Sequence, residues 1–140
     1  MSGAVSAPAV VAAARALVGV PFRLQGRSER MGLDCVGLVA LALTRAGHRG
    51  VVPAGYDLRW HDGGRVRRWL RAARLRQVDI PADGDVTLVR PGPLQTHLMI
   101  VVPGGFIHGH AGLRRVVETP GASPWPVIGH WRAMPIEEEL

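Results

Sequence analysis

The sequence predicts an α+β fold in which N-terminal helices pack on one side of an antiparallel β-sheet of about five strands. Two observations predict it. The first half carries apolar segments long enough for helices, each bounded by capping residues. After Pro81 the pattern changes to short runs of branched and long apolar residues separated by Pro/Gly turns, the pattern of an antiparallel meander.

The elements follow in order. Pro8 to Val18 reads as a helix whose only charge is Arg15, so most of it should be buried. Gly19 to Met31 reads as a loop. Cys35 to Ala46 is a second helix, apolar nearly all round, with Asp34 as its N-cap and Gly47 ending it. Val51 to Trp60 reads as irregular, with Pro53 and Gly55. Asp62 is placed to cap a third, basic helix from about Gly64 to Arg74. Pro81 to Asp85 is a turn and Val86 to Val89 a short strand. His97 to Val102, the tight turn Pro103-Gly104-Gly105 and Phe106 to His110 make a hairpin. Leu113 to Thr119 and Ile128 to Ala133 complete the sheet.

The length of 140 residues and an apolar share of 47% fit one globular domain spanning 1–140 and exclude a disordered chain. A single cysteine excludes an internal disulfide. The formal charge of +6 is carried by arginine, densest at Arg65, Arg67, Arg68, Arg71, Arg74 and Arg76. Such a charge reflects either an Arg-rich codon usage or an anionic partner. No nucleic-acid-binding motif accompanies it, so no specific nucleic acid is expected. Arg15 interrupts the N-terminal apolar stretch, and no signal peptide or membrane span is read. Synthesis in the cytoplasm is therefore expected.

The informative segment for chemistry is Gly32-Leu33-Asp34-Cys35-Val36-Gly37-Leu38-Val39. It puts the cysteine in the first turn of an apolar helix, where unpaired N–H groups and the positive dipole end favour a thiolate and can hold an oxyanion. A buried structural cysteine is the plain alternative. A nucleophilic cysteine needs a base that is itself oriented by a polar group. His97 opens a strand behind polar Gln95 and Thr96. His108 lies on the returning arm of the hairpin and can orient the His97 ring. His110 points to the same face as His108 and competes for that role. His48, His61 and His130 have no such setting. Cys35, His97, His108 and His110 nominally offer zinc ligands, but the helix-start setting of Cys35 favours a nucleophile, and neither metal nor cofactor is expected.

These residues resemble the NlpC/p60 family of papain-like peptidoglycan endopeptidases. Leu17-Val18-Gly19-Val20-Pro21-Phe22 resembles its Gly-x-Pro-Tyr loop. Asp34-Cys35-Val36-Gly37-Leu38-Val39 resembles its Asp-Cys-Ser-Gly-Leu-Val motif. Gly84-Asp85-Val86 resembles the Gly-Asp-Leu that starts its sheet, and His97 to Val101 with Phe106-Ile107-His108 resembles its paired His strands. The resemblance implies Cys35 as nucleophile, His97 as base and His108 as orienter. It implies peptidoglycan stem peptides as substrate, with Asp34 and the Phe22 loop near the substrate's amine. Phe22 and Val36 stand where the family usually has Tyr and Ser. A narrower resemblance is to the cell-wall peptidases of phage and gene-transfer-agent tails. It rests on the aliphatic residue after the cysteine and the segment from Ser123-Pro124-Trp125 to Trp131. It implies tail hub or baseplate partners, and action in the periplasm after delivery by the particle. A catalytically silent tail component and a thiol acyltransferase or amidase are the other readings.

Overall fold

The computed structural model describes residues 5–50 and 63–134, with side chains from 66 onward in the second segment. Helix α1 spans Ala7–Ala16. Ser6 caps it, its side chain accepting from the Ala9 N–H at 3.2 Å, and Pro8 sits in the first turn, where its missing N–H costs nothing. Helix α2 spans Cys35–Arg45 and buries seven of its residues, consistent with an apolar sequence on nearly every side. Between them, β1 (Arg27–Ser28) and β2 (Gly32–Leu33) form a small antiparallel pair that leads directly into α2. Helix α3 spans Gly63–Ala72 and turns Val66 and Leu70 inward while Arg67, Arg68 and Arg71 stay exposed. The expected irregular stretch at Val51–Trp60 and the Asp62 cap lie outside the described residues.

The main sheet is antiparallel throughout and has six strands: β3 (Leu75–Val78), β4 (Val86–Val89), β5 (His97–Val102), β6 (Gly105–His110), β7 (Arg115–Pro120) and β8 (Val127–Ala133). Their order across the sheet is β3-β8-β4-β5-β6-β7, so the last strand inserts between the first two. The α+β architecture matches the sequence expectation, with one strand more than expected in the main sheet and the short β1–β2 pair where the sequence reads as a loop. The extra strand is β3. Its four residues include two exposed polar ones, Arg76 and Gln77, and only Leu75 is buried. A strand with so little apolar alternation is recognisable only through its pairing with β8.

Helices α1 and α2 pack against the sheet through a core that includes Leu17, Leu38, Leu98, Ile100, Ile107 and Trp131. Burying one such side chain contributes roughly 1.5–3 kcal/mol. Polar ties hold the rims. Asp85, 2% exposed, accepts from Ala82 N–H at 2.8 Å and takes Arg132 as a two-toothed partner at 2.9 Å for each contact. The His48 ring meets the Ala73 carbonyl at 2.8 Å, joining the end of α2 to the end of α3, and His130 Nδ1 meets Thr87 Oγ1 at 2.9 Å. Both histidines are thereby structural. No described helix is long and apolar enough to cross a membrane.

Candidate active site

Asp34 begins the site because it sets where α2 starts. Its carboxylate is buried and accepts from Gly37 N–H at 2.8 Å and from Gln25 N–H at 2.7 Å, with the Arg27 guanidinium at 3.5 Å. One side chain thus caps the helix and anchors the preceding loop. Gly37 faces the Gly26 carbonyl so closely that a Cβ has no room, which explains a glycine two residues after the cysteine. Within the first turn, Gly37 N–H is bound to the Asp34 side chain and Leu38 N–H to the Asp34 carbonyl.

Cys35 is therefore held at the first helical position, fully buried under a cleft of about 350 Å³. Phe22, His97, His108, His110 and Trp125 line the same cleft. Gly109 lies under it: a Cβ there would come within 3.3 Å of both the Cys35 backbone nitrogen and the Phe22 ring. Asp34 does not line the cleft; its carboxylate faces the loop behind it.

The histidines are brought together by strand register. Strands β5 and β6 pair Ile100 with Ile107, which sets His97 and His108 one diagonal step apart on one face. His97 Nε2 lies 3.1 Å from His108 Nδ1, and the rings meet edge-on at 5.2 Å. Strands β6 and β7 pair His108 with Val117, so Thr119 is the next diagonal step, and its Oγ1 lies 3.1 Å from His108 Nε2. His110 lines the cleft too, but its Nδ1 accepts from Leu113 N–H at 3.0 Å and caps the following turn. The hydrogen bond to His97 is thus made by His108. Trp125 sets its ring perpendicular to both His97 and His108, at 5.7 and 5.8 Å. Its loop is held by Ser123, whose Oγ donates to the Trp125 carbonyl at 2.8 Å. Thr119 and Trp125 were not singled out as site residues by sequence reasoning. A strand-end threonine and a Pro-flanked tryptophan gain meaning only from the register and loop path that bring them here.

The electrostatics correct one expectation. Burial pushes the Cys35 thiol up to about 12, and the Asp34 carboxylate adds to the rise. The backbone at Leu98, Val36 and Cys35 itself pulls the other way without prevailing. The helix start lowers the thiol's pKa as expected, but the dry site outweighs it. Burial, then the charges of His108 and His110, hold His97 down to about 3; burial, then His110, hold His108 down to about 4. At neutral pH the resting site is a thiol beside two uncharged imidazoles. Among the described residues, no group of three His, Cys, Asp or Glu side chains is arranged to hold a metal ion.

Solved structures share this fold. NlpC1 of Trichomonas vaginalis superposes with a TM-score of 0.65 at 18% identity, over 89% of this chain and 44% of its own. The NlpC/p60 domain of the peptidoglycan hydrolase SagA gives 0.60 at 21% identity over 93% of this chain and 100% of that domain. The peptidoglycan hydrolase RipB of Mycobacterium tuberculosis gives 0.59 at 21% identity, over 90% and 63%. No protein-family model and no curated protein sequence matches the chain. The chain therefore has the NlpC/p60 fold, a papain-like α+β architecture.

Proposed function

We propose that this protein is a cysteine peptidase that hydrolyses stem peptides of peptidoglycan, with Cys35 as nucleophile, His97 as general base and His108 orienting His97. The observation that carries the reading is the hydrogen bond from His97 to His108, formed in the cleft that Cys35 also lines. The substrate class is supported by the names of two proteins of like fold, SagA and RipB, both peptidoglycan hydrolases.

The chemistry follows from the neutral resting site. His97 Nε2 is engaged with His108, leaving Nδ1 to take the thiol proton. Because thiol and imidazole rest uncharged, the proton moves as sulfur attacks the amide carbonyl, rather than from a standing ion pair. The first N–H groups of α2 stabilise the oxyanion. The imidazolium gives its proton to the leaving amine, and water, activated by the same ring, releases the acyl group and regenerates the thiol. Phe22 and Trp125 form apolar walls for the stem peptide. The sequence likeness to tail-borne peptidases supports delivery to the wall by a phage-like or gene-transfer-agent particle, with tail hub or baseplate proteins as partners.

One observation favours a second reading, a catalytically silent tail component: the thiol is wholly buried and its pKa is pushed up to about 12. A single experiment separates the two. Muropeptides are incubated with the protein and with its Cys35→Ala and His97→Ala variants, and products are identified by mass spectrometry. Stem-peptide fragments released only by the unsubstituted protein sustain the peptidase, and their masses identify the bond. Absence of product at every pH, with Cys35 alkylated by iodoacetamide no faster than a free thiol, sustains the silent component.

A further inference from the structure

We infer that Thr119 is a positioning residue for His97: its hydroxyl is the terminal acceptor of a directional hydrogen-bond chain that keeps one His97 nitrogen unprotonated. The inference rests on the reading of His97 as the base.

The chain is His97 Nε2, His108 Nδ1, His108 Nε2, Thr119 Oγ1, with both contacts at 3.1 Å. A neutral imidazole carries one N–H and one lone pair. For His97 to accept a proton at Nδ1, its N–H must sit on Nε2 and donate to His108 Nδ1. His108 Nδ1 must then be the lone pair, so His108 carries its N–H on Nε2. That N–H needs an acceptor, and Thr119 Oγ1 is the atom placed to be one. The same direction holds once His97 is an imidazolium, so no link reverses during the cycle. The reversed chain runs from the Thr119 hydroxyl through His108 and puts a proton on His97 Nδ1, the nitrogen the chemistry needs bare.

Two features make the acceptor matter. His108 is 3% exposed, so water does not readily replace a lost partner. Thr119 is only half-buried near the end of β7, so its own hydroxyl proton can reach solvent while the oxygen accepts. With no acceptor at position 119, the forward chain leaves a buried N–H unsatisfied and the reversed tautomers gain population.

The test uses Thr119→Val, which keeps the shape and removes the hydroxyl, and Thr119→Ser, which keeps the hydroxyl. Hydrolysis of muropeptides is followed for kcat and KM. Two-bond proton–nitrogen spectra of the labelled proteins at neutral pH read the tautomers of His97 and His108. The valine variant is expected to lose about 10- to 100-fold in kcat with KM unchanged. Its His108 signals should move from the Nε2–H pattern of the unsubstituted protein toward Nδ1–H, and serine should restore both. Unchanged rate and tautomers in the valine variant overturn the inference, as does a serine variant impaired equally. If the unsubstituted protein cuts no muropeptide, the peptidase reading fails by itself. The tautomer spectra then still decide whether Thr119 directs the pair.

Discussion

The two halves of the site are built in different ways. The cysteine half is local: Asp34, Cys35 and Gly37 are nearly adjacent, and the cap, the buried thiol and the close-approach glycine are set by one helix start. The histidine half is assembled across three strands, its linked residues eleven positions apart, and exists only while β5, β6 and β7 keep register. A local device resists distant change but is destroyed by a change at its own cap. A register device tolerates change at single surface positions but depends on the whole sheet.

The sharpest test of the proposed peptidase removes one side chain from each half. Cys35→Ala and His97→Ala should each lower kcat on muropeptides by about 10⁴-fold or more, and the double variant should be little worse than either. Additive losses in steady-state assays would mean that the two side chains do not act together.

The next test concerns the burial both halves share. With His97 held down to about 3 and the thiol pushed up to about 12, the kcat/KM profile should be flat through the neutral range. Its acid limb should lie well below the ordinary histidine value of 6.5. An acid limb at that ordinary value would show that water reaches the His97 ring. Stability moves in the same direction. The unfolded chain binds protons at these histidines before the folded one does, so folding stability is full above about 6.5. It should fall as the pH drops from there toward 4 and 3, as urea titrations at several pH values would reveal.

A smaller effect separates local from register construction. Asp34→Ala strips acceptors from two backbone N–H groups and should cost about 2–4 kcal/mol in urea unfolding. Asp34→Asn keeps one carbonyl oxygen for Gly37 N–H and should cost less. Equal losses would mean that the Arg27 ion pair, not the cap, dominates. The smallest effect is expected on the surface. Arg15 and Glu118 join α1 to β7 at 3.2 Å but are 44% and 36% exposed, so Arg15→Ala should change stability by less than about 1 kcal/mol.

Much of this was legible in the sequence. The capped apolar helix at Asp34–Cys35 was visible because its signals lie within a few residues of one another. The hairpin joining His97 to His108 was visible because Pro103-Gly104-Gly105 sits midway between them. The preference for His108 over His110 was not settled in advance, since both share one face of β6; the turn after His110 supplies the Leu113 N–H that occupies its ring. Strand β3 was missed because an edge strand with one buried residue has almost no pattern.

By itself the sequence determined the helices, five of the six strands of the main sheet, the cap that starts α2, and the residue types that thiol chemistry needs, because each of these depends on neighbours a few positions away. Only the tertiary structure decided that β8 inserts beside β4, that Thr119 ends the histidine chain, and that Trp125 stands against both rings. It also decided the protonation of the site. A helix start favours a thiolate wherever it stands, but desolvation depends on everything packed over it, and here the packing keeps Cys35 and His97 neutral.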